Sequence, residues 1–183
     1  MGAGVTSLRT VDIQRTYEGN SKVVDEFLSP CFQESVLYQK ASGYFTSAAF
    51  DLLRMSIVDF VSSGGKIQLV CSPELKQGDV EKISKGYEIK EIIDEALTRE
   101  IEEELQNPAG ELRHDFISSL IALDALEIKI AYEKNKVGIF HAKISIFTDG
   151  MGDFISTKGS NNETYSGLHE DSNWESFDTF KSW

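Results

Sequence analysis

The chain has 183 residues and a formal net charge of −12, with 40% hydrophobic and 26% charged residues. That length suits one domain with a substantial core, since a chain of this size buries about 70% of the surface it exposes unfolded, and no apolar run approaches the ~18 residues of a membrane span. The excess of acid excludes a general nucleic-acid coat protein, whose affinity depends on Lys and Arg neutralising phosphates.

Met1 to Arg15 lacks the apolar core of a secretory signal, and Cys31 and Cys71 have neither disulfide-framework nor metal-ligand spacing. Buried free thiols in a reducing, cytoplasmic compartment follow. The first fifteen or so residues show no periodicity and are expected to form an arm or fray, residues 1–19 preceding a domain over 20–183. Val23, Val24, Phe27 and Leu28 then predict a short helix from about Ser21 to Phe32, broken near Pro30. Val36, Leu37 and Tyr38 open a strand over Ser35 to Tyr44.

Ser47 to Val61 is the clearest amphipathic helix: Phe50, Leu53, Ile57 and Phe60 recur at helical spacing, Thr46 or Ser47 can cap its start, and Gly64-Gly65 ends it. Lys66 to Cys71 follows as a buried strand. A strand, helix and strand joined in this way predict parallel pairing through a right-handed crossover.

Ile89, Ile92, Ile93, Ala96, Leu97, Ile101 and Leu105 define one face of a long helix that Asn107-Pro108-Ala109-Gly110 interrupts. A further helix over about Leu112 to Leu126 uses Phe116, Leu120 and Leu123. Strands are expected over Glu127 to Tyr132, Gly138 to Thr148, about Asp153 to Lys158, and between Trp174 and Phe180. From Glu74 to Asp115 acidic residues outnumber basic ones about two to one, most simply a solvated helix face. From Lys129 to Lys143, by contrast, Lys129, Lys134, Lys136 and Lys143 meet Glu133 alone, so a locally basic site is compatible with the acidic total. The chain stops at Phe180-Lys181-Ser182-Trp183, apolar and strand-like, the ending expected of an N-terminal domain excised from a longer protein.

The chemistry gathers between Phe140 and Asn162, where His141-x-Lys143 is followed by Gly159-Ser160-x-Asn162. On a strand, alternation sets His141, Lys143 and Ser145 on a site face and Phe140, Ala142, Ile144 and Ile146 on a core face, aiming imidazole and ammonium at one point. An imidazole can act there as nucleophile or general acid and base, and the ammonium can balance the charge of a phosphoryl group. Gly159 would permit close backbone approach, and Ser160 and Asn162 can donate hydrogen bonds. No metal is required, and His114 and His169 share no metal-ligand spacing with His141.

H-x-K followed by G-S-x-N resembles the HKD motif of the phospholipase D superfamily. Ala41-Ser42-Gly43-Tyr44-Phe45 before a helix, then Gly64-Gly65-Lys66-Ile67-Gln68-Leu69-Val70, is similar to the HKD nuclease-like domains at the N-terminus of DEAD/DEAH-box helicases and restriction-type proteins. The likeness runs from about Asn20 to Phe180. It implies an α/β fold, a phospholipase D-like mixed sheet flanked by helices on both faces, and metal-independent phosphodiester chemistry at a site assembled from two motifs. By position, His141 is then the nucleophile or acid, Lys143 binds the phosphate, Ser160 and Asn162 complete its cradle, and Glu175 orients the histidine. Glu175 also reads as an edge-strand surface carboxylate, and Tyr44 and Phe45 as core residues or base-stacking platforms.

The family's aspartate stands five residues after the lysine, where this chain has Thr148, with Asp149 one place later. Gly150-Met151-Gly152-Asp153 is expected to absorb the longer gap as a hairpin turn. Because a single H-x-K motif is present, the resemblance implies a symmetric homodimer. The leading expectation is a DNA nuclease domain working through a phosphohistidine, without cofactor, linked to a helicase in restriction, defence or repair, and without a membrane partner. The rival is a catalytically silent module of the same fold that dimerises and positions a helicase on nucleic acid.

Overall fold

The computed structural model describes residues 7–19, 22–43, 45–72, 89–106, 108–131, 140–160 and 175–183. In chain order these form β1 (Thr16–Glu18), a π-helical turn (Val24–Leu28) running into α1 (Ser29–Gln33), β2 (Leu37–Ser42), α2 (Ser47–Leu52), α3 (Arg54–Ser62) and β3 (Lys66–Cys71). After these come α4 (Ile89–Glu104), α5 (Pro108–Ala122), β4 (Leu126–Ile130), β5 (Ile144–Thr148), β6 (Phe154–Gly159) and β7 (Ser176–Lys181). No described helix is long and apolar enough to cross a membrane.

Local chemistry explains where the elements bend and stop. The break expected at Pro30 is instead a change of helical pitch. The Ser29 N–H bonds to the Val24 carbonyl, and this widened turn just before Pro30 accommodates the proline's missing donor. The helix expected over residues 47–61 is divided at Leu53, which leaves helical geometry with φ −95° and ψ 5°, yet Phe50, Leu53, Ile57 and Phe60 are all buried as their spacing predicts. Pro108 does not keep α5 waiting until Leu112. It occupies the first helical position, where an N–H would have no partner anyway.

Helices α3 and α5 end alike. Gly65 and Gly64 donate to the carbonyls of Phe60 and Val61, both at 2.9 Å, while Ala125 and Asp124 donate to those of Leu120 and Ile121, again both at 2.9 Å. The reversing residues, Gly64 at φ +91° and Asp124 at φ +54°, occupy the left-handed region that this closure demands. Leu123, expected on the buried stripe of α5, is exposed because it lies at this turn, whereas Ile117 and Leu120 are buried.

One seven-stranded mixed sheet has the order β1-β7-β6-β5-β2-β3-β4, with β2–β3 parallel as expected, β3–β4 also parallel, and β2–β5, β5–β6, β6–β7 and β1–β7 antiparallel. The connections from β1 to β2, β2 to β3 and β3 to β4 all step in one direction across the sheet. Right-handed crossovers in a single direction deliver their helices to a single face. Burial agrees: Tyr38, Ile67, Leu69, Leu126, Phe147, Ile155 and Phe177 point into one core with Phe27, Phe32, Phe50 and Phe60. The π-helical turn, α1, α2, α3 and α5 therefore pack on one face of the sheet. Among the described residues, the other face carries Gln39, Ala41, Gln68, Val70, Lys129, Ile144 and Ile146 around a depression.

The stretch expected to be a loose arm is fastened where it is described. Leu8, Val11 and Tyr17 are buried, and β1 closes the far edge of the sheet against β7. Tyr17 stacks on Phe177 with ring centroids 5.1 Å apart.

Candidate functional site

Strand pairing in β5 begins at Ile144, opposite Ala41 of β2 and Lys158 of β6. His141 and Lys143 thus precede the strand, at the carboxyl ends of β2, β3 and β4. In open α/β sheets this end of the parallel strands is where ligands bind. The backbone of Lys143 is tied to β6 by a hydrogen bond from the Gly159 N–H at 3.3 Å.

The expected alternation holds, but its two faces are exchanged. Within β5, Ser145 and Phe147 are buried under the helices, while Ile144 is 38% exposed on the open face; residues 140–143, expected to belong to this strand, precede it. The reason is a polar row on the helix-covered side. Lys40, Ser145, Thr157 and Thr179 lie side by side in register across β2, β5, β6 and β7, all of them buried. The hydroxyls of Ser145 and Thr157 bond to each other at 2.6 Å, and that of Thr179 donates to the Gln14 carbonyl at 2.7 Å. This row runs beneath the site, with the hydroxyls of Ser145, Thr157 and Thr179 all hydrogen-bonded.

The Lys143 ammonium is 2.9 Å from Nε2 and 3.1 Å from Nδ1 of His141. Burial pushes the Lys143 pKa below its ordinary value, and the Lys40 charge pushes it the same way, while the Glu175 carboxylate opposes both. The Glu175 charge thus favours the ammonium form of Lys143. Glu175 is half-buried, and its carbonyl accepts the Gly19 N–H at 2.8 Å.

Gly159 and Ser160 pack against the start of β7. A Cβ on Gly159 would collide with the Ser176 carbonyl oxygen and with Phe177, so the close approach this glycine allows is to β7. Ser160 donates its N–H to the Ser176 carbonyl at 2.8 Å, and its Oγ accepts the Ser176 N–H at 3.0 Å. Ser160 thereby holds the start of β7, and Glu175 with it, beside Lys143. Asn162, like Tyr44 and Trp174, lies outside the described residues.

The hairpin expected at residues 150–153 is present: the Asp149 N–H bonds to the Asp153 carbonyl at 3.0 Å, and Gly152 takes φ +87°. Asp149 is buried and its carboxylate accepts the N–H groups of Met151 at 2.9 Å and Asp153 at 3.0 Å. Asp149, one place beyond Thr148, is thus a structural hydrogen-bond acceptor of this turn. Tyr38, Lys40 and Ser42, at alternate positions of β2, share its buried face, an alternation that the sequence carries.

No protein-family model and no curated protein matches the chain. Among solved structures it is similar to phosphatidylserine synthase of Haemophilus influenzae Rd KW20, with a TM-score of 0.53 and 11% identity over 90% of this chain and 33% of that one. It is also similar to yeast tyrosyl-DNA phosphodiesterase, with a TM-score of 0.47 and 11% identity over 90% of this chain and 31% of the other. The chain has the mixed α/β fold of the phosphatidylserine synthase and spans about a third of that protein's length.

Proposed function

We propose that this chain is a phosphodiesterase domain of the phospholipase D type, acting without metal on DNA through a phosphohistidine at His141, as a homodimer linked to a helicase. The observation that carries the reading is the contact of the Lys143 ammonium with the His141 imidazole, 2.9 Å to Nε2, at the ligand-binding end of the sheet. DNA and the helicase link come from the sequence resemblance of the segment from Ala41 to Val70. The two-copy requirement comes from the lone H-x-K motif.

In this scheme the lone pair of His141 attacks phosphorus, a P–N bond forms, and the bond to the leaving alkoxide breaks. The alkoxide takes a proton from the imidazolium of His141 of the second copy. That imidazole, now neutral, removes a proton from water, whose oxygen attacks phosphorus and releases the first histidine. Lys143 stays charged throughout and balances the equatorial oxygens, while Glu175 favours its ammonium form.

The test is hydrolysis of bis(p-nitrophenyl) phosphate and of single- and double-stranded DNA in excess EDTA, with sedimentation analysis of the same sample. Chelator-resistant turnover by a dimer, reduced at least about 10³-fold in H141A, is expected. Activity abolished by EDTA, or retained by H141A, overturns the scheme; a dimer without any turnover leaves the catalytically silent module.

A further inference from the structure

Lys40 sits at the middle of β2 and is only 8% exposed. Lysines are almost never buried this far without a task for the charge, since an ammonium loses its hydration on entering the protein. The neighbouring chemistry suits a cation. Lys40 pairs with Ser145, which pairs with Thr157, and Ser42, two positions along β2, is fully buried on the same face. Lys143 lies two positions before Ser145 on that face. The two lysines therefore rise from adjacent strands toward the same end of the sheet, Lys40 one step deeper.

Resting on the phosphodiesterase reading above, we infer that Lys40 is a positioning residue of the site, a second buried cation that governs how Lys143 holds a substrate phosphate. Lys40 acts through Lys143. Its charge adds to the positive potential that draws a phosphate into the bottom of the site, and it makes protonation of Lys143 harder, so that a bound phosphate adds to the stabilisation that Glu175 gives that ammonium. Among the described residues, His141 touches Lys143 from its own segment, and Lys40 on β2 and Glu175 ahead of β7 act on it electrostatically. Lys40 and Glu175 exert the opposing electrostatic influences on it, so a change at Lys40 is read directly in the pH dependence of phosphate binding.

The experiment compares wild type, K40M and K40R by calorimetric titration with inorganic phosphate from about pH 7 to about pH 10, the range in which a depressed lysine loses its proton, with melting temperatures and bis(p-nitrophenyl) phosphate hydrolysis recorded in parallel. K40M keeps the aliphatic stem and removes the charge. It is expected to weaken phosphate binding about tenfold and to move the alkaline loss of binding upward. K40R is expected to bind phosphate within about twofold of wild type, with the wild-type alkaline midpoint. A folded K40M with unchanged affinity, or with weakened affinity but an unmoved alkaline midpoint, overturns the inference. Should K40M not fold, K40R decides alone: wild-type binding and midpoint support the role of charge, and lost binding at an unchanged melting temperature overturns it. Wild type that binds phosphate but hydrolyses no diester defeats the phosphodiesterase reading and leaves the phosphate measurements to judge Lys40; wild type that binds no phosphate overturns Lys40's role.

Discussion

The Asp149 carboxylate accepts the backbone N–H of Leu8 at 2.9 Å, joining the turn after β5 to a segment near the opposite end of the chain. Through the N–H groups of Met151 and Asp153 it also shapes the turn that connects β5 to β6. One buried side chain thus fixes both the N-terminal segment and the strand pair behind the candidate site. Substitution D149A removes an ionised acceptor of three N–H groups and is expected to cost about 2–4 kcal/mol. D149N, which keeps one carbonyl oxygen, should cost less. Urea denaturation curves of the two variants check this order; equal midpoints for D149A and wild type would refute it.

Gly159 makes a sharper steric prediction. The backbone of β7 crosses so close that an added methyl has nowhere to go without moving the Ser176 carbonyl or Phe177. G159A is expected to lose about 1–3 kcal/mol by overpacking, and its phosphate affinity should fall with it, because Ser160 and Ser176 set the position from which Glu175 reaches Lys143. A crystal structure of G159A with β7 unmoved would contradict the argument.

Phe147 anchors the strand that follows Lys143. Its ring is fully buried and meets Tyr38, Phe32 and Phe27 at centroid distances of 4.4, 5.1 and 5.8 Å. F147A is expected to lower stability by about 3–5 kcal/mol. Hydrogen exchange read strand by strand should reveal faster opening of β5 and its partners β2 and β6 than of β4, with uniform acceleration as the contrary result.

These particulars explain what the sequence could disclose. Helix α3, the parallel β2–β3 pair and the hairpin after β5 were legible because each rests on local chemistry: apolar spacing, a glycine reversal, a turn between strands. The burial of Leu8 and Tyr17 was not, since it depends on Asp149 and Phe177 far along the chain. The faces around His141 were exchanged for a related reason. Ile144 and Ile146 look like core beside Ser145, but the helix-covered side of the sheet is polar near the site, where Ser145 and Thr157 satisfy each other. A site can break the apolar-inward rule wherever buried polar groups find partners.

Glu175 was legible as a carboxylate at the right distance in sequence, and its predicted effect follows from the sign of its interaction with Lys143. Burial lowers the Lys143 pKa and Glu175 raises it. In E175Q the opposing charge is gone, so the folded-state value falls further and the ammonium is lost at a lower pH. The high-pH limb of phosphate binding and turnover is expected to move down, opposite to the shift expected for K40M. Stability moves in the corresponding sense. Between the depressed folded value and the ordinary lysine value the unfolded chain holds a proton that the folded protein has released, so stability rises with pH across that window and is lost as pH falls through the folded value. E175Q extends the window downward. A pH series of denaturant midpoints for wild type and E175Q, set beside the phosphate-binding profile, checks both halves. An E175Q limb that stays in place would mean that Glu175 does not act on Lys143.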